Sequence, residues 1–138
     1  MSFEKMQNIE HVHERTCMIV YGFSASELRA IQSVARLVGM KDIINITEKQ
    51  AMTSIKDILD NRLDDTASEV LKEKAIIFNH TPSNRMNAFI EGLKKMRVNR
   101  PLIAVVTEHS INWSLRELLL NLVEERSALR NNQFTSHE

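Results

Sequence analysis

Four short apolar runs, each followed by a longer amphipathic stretch, constrain this chain more than any other feature. The runs are Cys17–Tyr21, Asp42–Ile46, Ala75–Phe78 and Leu102–Val106. The first and third, short, nearly continuously apolar and rich in β-formers, read as buried strands, and the second and fourth as further strands. After the first, Ser24-Ala25-Ser26-Glu27 fits a capping box, in which a hydroxyl and a carboxylate three residues on satisfy orphan N–H groups. Leu28, Ile31, Val34, Ala35 and Val38 then share one helical face, and Gly39 suits the left-handed closing position. Thr47-Glu48-Lys49-Gln50 repeats the box, with Met52, Ile55, Ile58 and Leu59 continuing at helical spacing. Pro82 opens a third helix, whose buried face is Met86, Phe89, Ile90, Leu93 and Met96. Asn112 is expected to cap the last, with Leu115, Leu118, Leu119, Leu122, Val123 and Leu129 facing inward.

Strands alternating with helices imply parallel pairing through right-handed crossovers. The expectation is an α/β fold: an open, mostly parallel four-stranded sheet with helices packed on it, in strand order 2-1-3-4. No sequence repeat is expected beyond this alternation. Residues 17–130 form a single domain, residues 1–16 a flexible arm in which Phe3, Met6 and Ile9 permit a short helix, and residues 131–138 a disordered tail. Thr66–Glu69 is expected to cap one further turn carrying Val70 and Leu71.

The 18 basic and 18 acidic residues cancel. The absence of a net field argues against nucleic acid as a partner. Cys17 is the single cysteine, so no intramolecular disulfide forms. No apolar run reaches the roughly 18–20 residues that span a bilayer. The N-terminus lacks the apolar core of a signal peptide, so the expected location is cytoplasmic.

In an open parallel sheet, ligands bind beyond the carboxyl ends of the strands. That rule gathers Gly22, Ser24, Asn79, His80, Thr107, His109, Asn112 and Trp113 at one edge, where helix N-termini favour an anion. The same hydroxyls and amides are also ordinary helix caps. The leading expectation is a non-catalytic module that binds a small anionic ligand or a protein partner at that edge. A second reading uses His80 or His109, beside Glu48 or Glu108, as the general acid–base of a small hydrolase or group-transfer enzyme. A third is a structural homodimer through the last helix, where Leu120 lies off the buried arc. No G-x-S-x-G, G-x-G-x-x-G or Walker pattern occurs. His11 and His13, near Cys17, could grip a metal, but no second ligand pair follows, so no metal or cofactor is expected.

Ala104-Val105-Val106-Thr107, followed by Ile111-Asn112-Trp113-Ser114-Leu115-Arg116-Glu117-Leu118, carries the pattern A-V-x-T-x-x-x-x-N-W-x-L-x-E-L. In this the chain resembles a family of small bacterial domains classed only as of unknown function. The similarity runs from about Met18 to Arg126 and includes Tyr21-Gly22-Phe23. Glu108 stands where that family usually has a proline. The resemblance implies an α/β fold with Thr107, Asn112 and Trp113 as its pattern positions, and no known activity, cofactor or catalytic residue.

Overall fold

The computed structural model describes residues 13–66, 71–98 and 101–135. The expected helix near the N-terminus, His11 and most of the expected turn at Thr66–Leu71 lie outside these. Four strands, β1 (Cys17–Tyr21), β2 (Ile43–Ile46), β3 (Ala75–Asn79) and β4 (Leu102–Val105), alternate with helices α1 (Ala25–Leu37), α2 (Ile55–Leu59), α3 (Ser83–Lys95) and α4 (Leu115–Thr135). The sheet order is β2-β1-β3-β4, as expected. Its directions are not all as expected. β1 pairs parallel with β2 and β3 with β4, but β1 and β3 are antiparallel. The sheet is therefore mixed.

The reason is an internal repeat that the alternation alone did not disclose. The spacing that separates Cys17 from Ala75 also relates each five-residue central strand and the 13-residue helix after it to their counterparts. It separates two pairs of residues with positive φ, Gly22 (85°) from His80 (52°) and Gly39 (80°) from Arg97 (59°). Two extra residues precede β4. Beyond them Thr47-Glu48-x5-Ser54-Ile55-Lys56-Asp57-Ile58-Leu59 is matched by Thr107-Glu108-x5-Ser114-Leu115-Arg116-Glu117-Leu118-Leu119. Each unit is strand, helix, strand, 3₁₀ turn, helix. Ile19 opposes its own counterpart Ile77 in the β1–β3 register, so a pseudo-twofold axis passes through that pair, normal to the sheet.

Two consequences follow from the axis. Rotation about the sheet normal keeps a helix on its own face, so equal-handed crossovers place α1 and α3 together. They cross closely: a Cβ built on Gly92 would lie 2.5 Å from a Val34 methyl. Met18, Val20, Ile76 and Phe78 meet Ile31, Val34, Phe89 and Leu93 on this face, with Phe78 and Phe89 edge to face. On the other face Cys17, Ile19, Tyr21 and Ile77 meet Ile55, Ile58, Leu115, Leu118 and Leu119. β1 and β3 are covered from both sides, and every one of their residues is buried.

The second consequence is a joint on the axis. Ser54 and Ser114 form an antiparallel bridge. The Ile55 N–H donates to the Trp113 carbonyl (2.8 Å) and the Leu115 N–H to the Thr53 carbonyl (3.0 Å). This bridge needs extended backbone at Ser54, so the expected continuous helix from Thr47 divides into a 3₁₀ turn at Glu48–Gln50 and a short α2. The same holds for the last helix. Asn112 closes a 3₁₀ turn, and the cap is Ser114, whose hydroxyl accepts from the Glu117 N–H at 3.0 Å.

Two expected boundaries also move. α4 continues to Thr135, past Arg130. Residues 13–16 are held down: the Arg15 guanidinium donates to both Asp42 carboxylate oxygens (2.7 and 3.0 Å), to the Leu59 carbonyl (2.8 Å) and to Asn61 Oδ1 (3.0 Å).

Candidate functional site

Antiparallel pairing of β1 and β3 sends the strand exits to opposite edges of the sheet. The exits of β1 and β2 carry Gly22, Ser24, Thr47 and Glu48. The exits of β3 and β4 carry Asn79, His80, Thr107 and His109. The single crevice expected from four parallel strands therefore does not exist. This corrects the grouping of the eight candidate residues.

Each of the eight has a local structural partner or faces solvent. The Ser24 hydroxyl accepts from the Glu27 N–H at 3.2 Å, and Glu27 Oε1 accepts from the Ser24 N–H at 2.9 Å. Glu27 also meets Lys74 Nζ through Oε2 at 2.6 Å. The helix terminus offered to an anion is thus already occupied by a carboxylate of the chain. Asn79 is buried, and its amide donates to the carbonyls of His13 (3.2 Å) and Arg15 (2.7 Å). Its counterpart in the other unit is Tyr21, whose hydroxyl donates to the Leu71 carbonyl at 2.9 Å. Both residues staple the segment that leads into the neighbouring central strand.

His80 is exposed, and its Nδ1 lies 2.9 Å from the Thr16 hydroxyl. His109 has a side chain 81% exposed, 3.9 Å from Glu108. Thr107 and Ser110 bond each other reciprocally, as a turn leaving a strand requires. Asn112 is exposed. Trp113 is half-buried against the second core and serves as a lid on it. His13 hydrogen-bonds Asp60 at 3.0 Å through Nε2, while its Nδ1 accepts from the Arg15 N–H at 3.1 Å. Both ring nitrogens are engaged, and among the described residues no group of three His, Cys, Asp or Glu side chains could hold a metal. Cys17 is buried, and burial pushes its thiol up to about 11, so the thiolate that reacts with oxidants and metals is scarce at neutral pH.

At the β1–β2 exit the chain walls an open cleft of about 500 Å³, lined by Tyr21, Gly22, Phe23, Asn45, Thr47 and Glu48, with Lys49 at its rim. Gly22 shapes it. With φ of 85°, a Cβ there would lie 2.0 Å from the Glu73 carbonyl oxygen. Phe23, Thr47 and Glu48 fall where the strand-end rule places them, whereas Asn45 and Lys49 were not among the residues gathered from the sequence. The recurrence of Thr-Glu before each 3₁₀ turn is the signal that leads to them.

A model of a domain of unknown function (DUF3783) matches residues 74–129. That span is the second unit of the repeat, from the start of β3 into α4. No match was found among curated proteins or among solved structures. Among the described residues no helix is long and apolar enough to cross a membrane.

The Lys74 ammonium and the Ser24 N–H hold the Glu27 carboxyl below its ordinary value of 4.5. A depressed carboxylate stabilises the fold above its unfolded pKa and loses that contribution as pH falls through the folded one. Glu27→Gln is therefore expected to lower the thermal midpoint most near neutral pH. The gap to the parent should close as pH drops below about 4.5. Parallel midpoint–pH curves for the two proteins would show that the contact contributes nothing.

Proposed function

We propose that the chain is a non-catalytic binding module that takes a small polar molecule in the cleft at the β1–β2 exit. The observation that carries this reading is the cleft itself. Its volume falls within the roughly 300–1,000 Å³ of small-molecule sites. It joins an aromatic wall at Phe23 to polar groups on Asn45, Thr47, Glu48 and Lys49. Glu48 and Lys49 give its rim both signs of charge, and Glu27 already fills the neighbouring α1 terminus. Both features favour a zwitterion or an uncharged polar molecule over a simple anion. A binding role also suits the histidines: His80 bonds Thr16, just before β1, and His109 faces solvent, so neither shares this cleft.

Thermal-shift screening of the purified chain against polar metabolites tests the reading. A ligand selective for the native state at a hundred times its Kd contributes about 2.7 kcal/mol, a rise of several degrees. Asn45→Ala and Lys49→Ala alter exposed side chains and should leave the unliganded midpoint unchanged while abolishing the rise. A screen without any shift, or a shift that survives both substitutions, would rule out this cleft.

A further inference from the structure

The two units are closely matched up to Leu59 and Leu119, and then they part. α2 stops at Leu59, whereas α4 runs on to Thr135. At about 1.5 Å per residue the 21-residue α4 is roughly 30 Å long, well beyond the sheet's four- and five-residue strands at about 3.3 Å per residue. Its stretch from Leu122 to Arg130 flanks β4, the outer strand. Leu102, Ile103, Leu122, Glu125, Leu129 and Arg130 line a groove there of about 310 Å³.

β4 is an unguarded edge. Sheet edges are usually blunted by charge, bulges or cover, yet Leu102-Ile103-Ala104-Val105 carries no polar side chain. Ile103 and Val105 are 40% and 47% exposed. In the other unit the position of Val105 is held by Asn45, exposed on the opposite outer strand. The Leu102 and Val106 N–H groups donate to Lys74 and Phe78. With the strand period of two, the N–H and C=O of Ile103 and Val105 therefore point away from β3.

We propose that this edge pairs with a second copy of the chain, β4 against β4 in antiparallel register about Ala104. Ile103 and Val105 of the second copy then exchange both backbone hydrogen bonds, and Ala104 faces its own equivalent at the axis. The side chains of Ile103 and Val105 come into cross-strand contact. The rim charges select a twofold copy as the occupant. Glu125 and Arg130 are exposed, opposite in sign and on one helix, so antiparallel helices set Glu125 of one copy against Arg130 of the other, twice over. Such an isologous contact closes on itself as a dimer. It joins the two four-stranded sheets into one.

Sedimentation of the full chain at low salt, across a wide concentration range, is expected to show the mass doubling. Val105→Lys puts a charge on the paired edge at an exposed position. It should yield a monomer with the parent's circular dichroism, and with the parent's thermal midpoint at concentrations low enough for the parent to be dissociated as well. Glu125→Arg should weaken the dimer roughly tenfold, and adding Arg130→Glu to it should restore the parent affinity. A chain that stays monomeric throughout overturns the proposal. So does a dimer indifferent to Val105→Lys, or a charge swap that fails to rescue.

Discussion

Gly22→Ala is expected to destabilise the protein by about 2–5 kcal/mol and to lower its thermal midpoint by ~10 °C or more. Two costs combine. An L-residue held at φ of 85° loses about 1–2 kcal/mol relative to glycine. The added methyl also meets the Glu73 carbonyl oxygen at 2.0 Å and the Glu73 carbonyl carbon at 3.0 Å. Backbone cannot rotate away as a side chain does, so the strand entering β3 must shift, and overpacking of this kind costs about 1–3 kcal/mol. The second unit supplies the control. His80 occupies the same turn with positive φ and already carries a Cβ, so His80→Ala should cost no more than about 1 kcal/mol, the hydrogen bond to Thr16. Chemical denaturation of the two variants measures both values. Similar losses at Gly22 and His80 would mean that the close approach to Glu73 does not limit the first turn.

Leu115→Ala is expected to cost about 2–5 kcal/mol, the range for emptying a fully buried leucine position. Leu115 is 0% exposed and opens α4 at the joint between the units, where its N–H bonds the Thr53 carbonyl. Its counterpart Ile55, also 0% exposed, opens α2 and belongs to the same core cluster. If that cluster is one body shared by the two units, Ile55→Ala and Leu115→Ala will not add. The double variant should depart from the sum by ~0.5 kcal/mol or more, as residues around a shared cavity do. Strict additivity would mean that each unit keeps a separate core beneath its own helix.

Much of the fold was legible in the residues. The strands Cys17–Tyr21 and Ala75–Phe78 were visible because central strands, buried on both faces, lose the polar alternation of a half-exposed one, and the structure adds Asn79 to the latter. The helix at Ala25–Leu37 was visible because its cap, its apolar face and Gly39 all agree. The strand order 2-1-3-4 was expected by analogy with other open sheets rather than read from the residues, and the structure has it. Strand direction was not legible: an apolar strand reads alike in either sense, and the polar segment between α2 and β3 leaves room for either return. The expected crevice depended on direction, so it failed although nearly every element beneath it was present. The repeat was readable in Thr47-Glu48 and Thr107-Glu108 with the matching Ser-led helix starts. It was obscured because the central strands and helices keep their apolar pattern but few identities.

Sequence alone determined which runs are strands and, apart from Met96 and Leu129, which end exposed, which side chains of the longer helices turn inward. These properties depend on neighbours a few positions away. Tertiary contacts decided what identical signals become. Asn61 and Asn121 hold the same position in the two units. Asn61 turns to φ of 60° and ends its helix, because Arg15 arrives from the distant chain to take the Leu59 carbonyl and the Asn61 side chain. Asn121 stays helical and bonds the Glu117 carbonyl. A helix end is close to balanced in energy, so one guanidinium brought by the fold settles it. The same reason separates one pocket from two edges: strand direction depends on how distant segments pair, β1 antiparallel to β3, which no local pattern encodes.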